Sequence, residues 1–408
     1  MNPPGQDKLV RHSALLMAAT QVANGSNLLF QMVMGWTLSE EQYGDLASML
    51  GLVLVLATPM DAVRTAVAHY AARLRAENRA AEIRGLVIRW LGGMTAVSLP
   101  ILLMSLAWSG PLAVFFNIPG RLPVILTGCI LAGSFYLPVF SGALQGVQSF
   151  TWMAISQHSW GVVRLLAGAL LVLILAPRAE WGLLAQGAGV VVSAALGWVG
   201  VGAVLGAARS APPVRLGGIP RYLGYSLLIL GGFAVLMNAD ILMVKRFFPR
   251  AEAGLFARAA TIGRSVVFIS MPVALAMFPK VASAGEVTAG SRRTLRHSFL
   301  LAGLVILVAA GGVCLWPSLP LLILFRDSHP TPDMIRLVRQ ITAAMSPLGL
   351  GYLALHFELA QHRFRQAFVL VACAAVYVAA VILRHQTFQQ VVAALAVSAG
   401  VAVLLLLA

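Results

Sequence analysis

The run Leu46-Ala-Ser-Met-Leu-Gly-Leu-Val-Leu-Val-Leu-Ala57 continues through Asp61 and Arg64 to His69 and Tyr70. It decides the fold. A helix needs roughly 20 mostly apolar residues to cross a bilayer, and this stretch is long enough. A membrane barrel would show ~10-residue segments alternating between apolar and polar, and no such alternation is present.

Working outward, similar runs recur to both ends of the chain. In the first half the expected spans are Ser13 to Trp36, Leu46 to Tyr70, Trp90 to Trp108, Leu122 to Leu144, Trp152 to Leu175 and Leu183 to Leu205. In the second they are Leu223 to Val244, Leu255 to Met277, Ser298 to Leu324, Ile341 to Phe357, Ala367 to Leu383 and Val391 to Leu407. The fold class is therefore all-α: a polytopic membrane protein of about twelve transmembrane helices. Composition agrees. Hydrophobic residues make up 59% of the 408 and charged residues 11%, against ~25% charged in a soluble domain. The first span carries Asn24, Asn27 and Gln31, too polar for the core of a cleavable signal peptide, so it reads as a retained helix.

The stretch Gly206 to Arg221 holds Pro212, Pro213, Gly217, Gly218 and Pro220 and reads as a linker. The expected organisation is an N-terminal six-helix lobe over 1–210, a cytoplasmic linker over 211–221 and a C-terminal six-helix lobe over 222–408. The lobes resemble each other. Glu41, Tyr43, Gly44 and Ala47 lead into the second span as Glu252, Gly254, Phe256 and Ala257 lead into the eighth. Leu144, Gln145, Ser149 and Phe150 follow the fourth span as Leu359, Gln361, Arg363 and Phe364 follow the tenth. With six spans each, both repeats start on the same side. Two similar parallel lobes suit alternating access to a central site.

The formal net charge is +15. With the N-terminus inside, most Lys and Arg fall on inner segments, including Arg73, Arg75, Arg79, Arg84 and Arg89, and Arg292, Arg293 and Arg296. That bias places both termini in the cytoplasm, in the cytoplasmic (inner) membrane. Flanking membrane spans, these charges suit lipid headgroups rather than nucleic acid. Cys129, Cys314 and Cys373 each stand alone in apolar runs, so neither a disulfide framework nor a metal motif is expected. No glycine-rich phosphate loop followed by Lys-Ser or Lys-Thr is present. The outer-loop acids, Glu40, Glu41 and Asp45 among them, are scattered, which argues against a sugar-transferring enzyme. The chain is expected to be no enzyme and to need no cofactor.

Ionisable groups at membrane depth cost roughly 2.5–3.5 kcal/mol each on insertion scales and tend to face a protein interior or a watery cavity. Here they are Asp61, Arg64, Arg164, Asp240, Arg258 and Arg264, with Glu358 at an inner end. Thr20, Asn24, Asn27 and Gln31 share one helical face, as do Thr58, Asp61, Thr65 and His69. Each has a plain packing alternative. Polar faces can glue helices together. Asp61 and Arg64, three apart, can pair with each other, and Asp240 stands a turn from Lys245 and Arg246. Arg258, Thr261 and Ser265 share a face from which Arg264 points away. The deep cations are all arginine, which grips phosphate in a bidentate way, and their excess over deep acids favours an anionic substrate. Candidate substrate contacts are thus Arg64, Arg258, Arg264, Arg164, Asn24, Asn27 and Gln31. Asp61 and Asp240 are the candidates for ion coupling.

Three stretches carry a resemblance. Leu38-Ser-Glu-Glu-Gln-Tyr-Gly-Asp-Leu-Ala47 and Gly142-Ala-Leu-Gln-Gly-Val-Gln-Ser-Phe150 are two. The third runs from Asn238-Ala-Asp-Ile-Leu-Met-Val-Lys-Arg-Phe247 through Glu252-Ala-Gly-Leu-Phe-Ala257 to Met271-Pro-Val-Ala-Leu-Ala-Met-Phe-Pro-Lys280. In order and spacing they resemble the polysaccharide transporter family, with its Wzx-type O-antigen flippases. That family lies within the multidrug/oligosaccharidyl-lipid/polysaccharide exporter superfamily. Phe256 stands where many relatives carry tyrosine. The resemblance implies a cavity lined by helices 1, 2, 7 and 8 and a substrate of undecaprenyl-diphosphate-linked oligosaccharide. The partners it implies are membrane lipids, that lipid-linked glycan and polysaccharide-assembly enzymes. Two alternatives stay open: a cation-coupled drug or small-molecule exporter of the same superfamily, and a non-transporting membrane scaffold for polysaccharide assembly.

Overall fold

A computed structural model describes residues 6–206, 219–282, 289–360 and 367–407. Every regular element among them is helical. The elements are α1 (Gln6–Thr37), α2 (Glu40–Ala57), a 3-10 turn (Thr58–Met60), α3 (Asp61–Ala76), α4 (Ala80–Ala107), α5 (Ser109–Phe115), α6 (Leu122–Ser134), α7 (Leu137–Gly146), α8 (Phe150–Ile174) and α9 (Ala179–Leu205). The second half holds α10 (Ile219–Phe247), α11 (Arg250–Ala282), α12 (Ala289–Leu315), α13 (Ser318–Phe325), α14 (Pro332–Ala360), α15 (Ala367–Leu383) and α16 (Phe388–Leu407).

Each expected span falls on these helices. Among the described residues, nine are long and apolar enough to cross a membrane, and Phe368–Leu383 is a shorter apolar helix. Two expected spans, on α1 and α14, fall outside that set. α1 carries the polar face described above, and α14 carries Asp333, Arg336, Arg339, His356 and Glu358. Large apolar side chains lie open on the surface, Leu307 and Leu404 each at 70%. A surface of that kind needs lipid to cover it.

The ninth span is shorter than expected. Its helix stops at Leu315, and Leu319 to Leu324 belong to the separate α13, because Pro317 cannot continue the hydrogen-bond ladder. The first half has the same design, with Trp108 ending α4 ahead of the short α5. Trp108 and Trp316 are exposed at 59% and 65%, as tryptophans at a membrane–water interface are.

The chain divides into two compact units, Met1–Leu38 with Met60–Leu223, and Ser39–Pro59 with Gly224–Ala408. The expected boundary inside 211–221 lies outside the described residues as far as 218, and the chain is helical again from Ile219. The segment Ser39–Pro59 departs from the expected division. By sequence it stands in the first half, yet it packs in the second unit, on α11. Two features bound the segment. Ser39 caps α2 through its hydroxyl, which accepts from the Gln42 amide at 3.3 Å, so a new helix starts at the unit boundary. At the other end Pro59 has no amide hydrogen to donate, and the helix breaks into the Thr58–Met60 turn before resuming as α3.

The first unit buries the stripe Val63, Ala66, Val67, Ala71 and Leu74 of α3 against α4 and α7, where Leu86, Val139 and Leu144 close the core. A tight turn joins α3 to α4. The Arg73 and Arg79 guanidiniums hold the Glu77 carboxyl below the usual carboxylate range. That contact is present above the ordinary carboxylate pKa and is lost as pH falls through the lowered one. In the second unit α11 is central, packed on α2, α12 and α14, with α16 against α14.

Candidate functional site

In the first unit, Arg164 of α8 is buried at 6%. Gly161 and Gly168 bracket it and let α1 come close, since a Cβ at Gly168 would press on the Phe30 ring at 2.8 Å. Nη2 of Arg164 donates to Asn27 Oδ1 at 2.8 Å and Nη1 to Gln186 Oε1 at 2.9 Å. Its guanidinium lies over the Phe30 ring at 4.1 Å and the Trp160 ring at 4.9 Å. One cation thereby ties α1, α8 and α9 together. Asn27 is turned to this task, while Asn24 is exposed and Gln31 half-buried on the same helix. The α1 stripe is thus divided between packing and open surface. Arg164→Met should lower thermal stability by roughly 1.5 kcal/mol, the order of a charged hydrogen bond, and Arg164→Lys should recover part of it. Thermal unfolding in detergent reads both.

Asp61 and Arg64 pair with each other at 3.1 Å, as their spacing allows. The pair is open: the side chains are 54% and 24% exposed.

The second unit holds the denser charge cluster. Asp45 of α2 and Lys245 of α10 form an ion pair with 2% and 1% exposure. Arg250 reaches Asp45 at 2.7 Å and Glu41 at 3.0 Å. Arg258 meets Glu40 at 3.3 Å, with Glu40 41% exposed. Between these contacts Tyr43 Oη lies 3.0 Å from Thr261 Oγ1, and the Tyr43 ring stands edge-on to Phe325. The helices approach closely because both crossing residues are glycine. A Cβ on Gly44 would come 2.9 Å from Gly254 Cα, and one on Gly254 would overlap the Glu40 carbonyl.

Asp240 and Arg264 form a separate pair, Asp240 wholly buried and Arg264 8% exposed. Arg264 Nε also donates to the Met237 carbonyl at 2.7 Å. The expected local partners of Asp240 are therefore not the ones it takes. Lys245 is five residues on and turns to α2, while Arg264 comes from the next helix. α11 uses two faces, Arg258 and Thr261 towards α2 and Arg264 towards α10, as 100° per residue dictates.

Asp45 and Lys245 were not candidates by sequence. Asp45 reads as an outer-loop acid and is instead buried inside a helix. The available signal was its position one turn after Glu41. Among the described residues no group of His, Cys, Asp and Glu is placed to hold a metal ion. The side chains of Met271 to Lys280, of Arg209 and of Arg292 lie outside the described residues.

The fold defines a class. An inward-facing multidrug resistance MATE family transporter of the MOP superfamily superposes with a TM-score of 0.76 at 14% identity, over 93% of this chain and 92% of that one. The lipid II flippase MurJ in an inward closed conformation gives 0.69 at 11%, over 97% and 87%. The MATE multidrug transporter DinF-BH gives 0.69 at 16%, over 98% and 94%. No family model and no curated protein matches the sequence. The chain is a polytopic all-α membrane protein with the fold that MATE transporters and the MurJ flippase share.

Proposed function

We propose that this chain is a transporter, a flippase for an anionic amphiphile of the lipid-diphosphate-linked oligosaccharide type, working by alternating access in the cytoplasmic membrane with both termini inside. The observation that supports it best is the state of two membrane-depth arginines. Arg64 and Arg258 have carboxylate partners that are themselves half open, Asp61 at 54% and Glu40 at 41%. A partner held so loosely by its surroundings exchanges readily for another anion. Arg264, closed on Asp240, is a structural cation in this reading, and Arg164 is a clasp. Among the coupling candidates Asp61 is then the one able to meet an ion from water.

A second reading draws on the same pair. Asp61 is more open than Arg64, which suits a cationic cargo or coupling ion, and multidrug transporters stand among the proteins that share the fold. Neutralisation separates the two. Under the flippase reading, Arg64→Gln and Arg258→Gln each slow movement of a labelled diphosphate lipid about tenfold, the loss of one charge-assisted contact. Arg209→Gln and Arg292→Gln leave it near the parent rate. Under the exporter reading Asp61→Asn abolishes uptake of a cationic dye and the arginine changes do not.

A further inference from the structure

The α2 helix spends three carboxylates on three cations of one neighbouring surface. Glu40, Glu41 and Asp45 lie within its first two turns. Arg258, Arg250 and Lys245 receive them. Lys245 is shut away from solvent, and a cation in such a place cannot be left without a counter-charge. If α2 moves off, another anion or water must take over.

The segment is bounded at both ends. It is a single helix between a capped start at Ser39 and the proline-broken turn at Thr58–Met60. At the crossing with α11 the backbones meet glycine to glycine. The ion pairs and Tyr43 fix it at this end, and Leu46, Met49 and Val53 are buried further along the same helix. Three carboxylates on one helical end offer anionic oxygens to these cations, as the oxygens of a diphosphate would.

We infer that Lys245, Arg250 and Arg258 form a binding site for a phosphate- or diphosphate-bearing ligand, and that the carboxylates of α2 occupy it in the ligand's absence. The inference rests on the anionic-cargo reading and adds to it where the headgroup is received and what it displaces. Arrival of the anion releases α2 from α11. By the arginine bias this end of the helix lies on the outer side, so the exchange belongs to release or to opening outward.

The test uses the full chain with Cys129, Cys314 and Cys373 replaced by alanine and one reporter, Met49→Cys, on the buried face of α2. Alkylation by N-ethylmaleimide reports separation of α2 from its neighbours. Asp45→Asn should speed alkylation about tenfold, the loss of one charge-assisted contact. Glu40→Gln, at a half-exposed pair where folding is not at stake, should speed it severalfold. Inorganic diphosphate and farnesyl diphosphate should each speed alkylation of the parent reporter. With Lys245→Gln or Arg258→Gln the response to both should be lost. A response to farnesyl diphosphate alone would assign the site to a lipid-borne headgroup. Unchanged alkylation in both carboxylate variants overturns the inference. Alkylation indifferent to either diphosphate, with labelled diphosphate lipid still carried, overturns the anion site and leaves the flippase reading standing. Indifference together with no carriage overturns both.

Discussion

Arg264→Leu is expected to lower the unfolding free energy by about 3–5 kcal/mol, because it leaves a wholly buried Asp240 without its counter-charge. Protein level in membranes should fall accordingly. Replacing both partners, Asp240→Leu with Arg264→Leu, should recover most of the loss, since the pair's cost of burial disappears with it. Thermal unfolding in detergent measures each. The result also bears on energy coupling. The Asp240 carboxylate is closed against the Arg264 guanidinium and wholly buried. Asp240→Asn should therefore act on stability and leave dependence on pH and sodium as it was. A parent-like melting midpoint for Arg264→Leu would deny the pair its structural role.

The second large effect is steric. Gly254→Leu places a side chain where the Glu40 carbonyl stands, against backbone that cannot rotate away. Forcing atoms into a packed contact costs about 1–3 kcal/mol, and here the upper end is expected. α2 must lift from α11, stretching the contacts of Arg250 and Arg258. Gly254→Leu should therefore both lower the melting midpoint and raise alkylation of the Met49→Cys reporter. A leucine at Gly92 or Gly93, where an added Cβ meets nothing within 4 Å, should change neither by comparison. Those positions control for the substitution itself.

Much of the architecture was legible because lipid is a demanding solvent. A spanning helix must be apolar over its full length, so runs such as Leu46 to Ala57 announce themselves. The same logic misplaced the end of the ninth span, since Leu319 to Leu324 remain apolar beyond the break. Pro317 was the signal there, and hydropathy outweighed it. The pairing of Asp61 with Arg64 was legible because partners three apart on a helix can meet.

Long-range partners were not. Asp45 finds Lys245 far along the chain, and only helix packing brings them together. Gly44 and Gly254 were visible as matching points of a repeat. That the two matching glycines touch each other follows from the crossing of α2 and α11, a property of the assembled unit. For the same reason prolines and glycines raised the expectation of a linker at 211–221, while nothing in the sequence marked the placing of Ser39–Pro59 in the other unit. Its cause lies in ion pairs whose partners are distant in sequence.

The deep arginines were legible as residues that need partners. Deep arginines on α3, α8 and α11 stood out against apolar runs, yet their sorting into clasp, locked pair and open pair depends on Asn27, Gln186, Asp240 and Glu40. Chemistry picked the residues, and packing assigned their states.

The most direct measurement is flipping itself. The purified chain is reconstituted into vesicles whose inner leaflet carries a fluorescent short-chain oligosaccharide linked to a polyprenyl diphosphate, and appearance in the outer leaflet is followed by quenching. Protein-dependent exposure of the label is expected, slowed about tenfold by Arg258→Gln. Vesicles whose label stays inside, while the same protein carries a cationic dye, would contradict it.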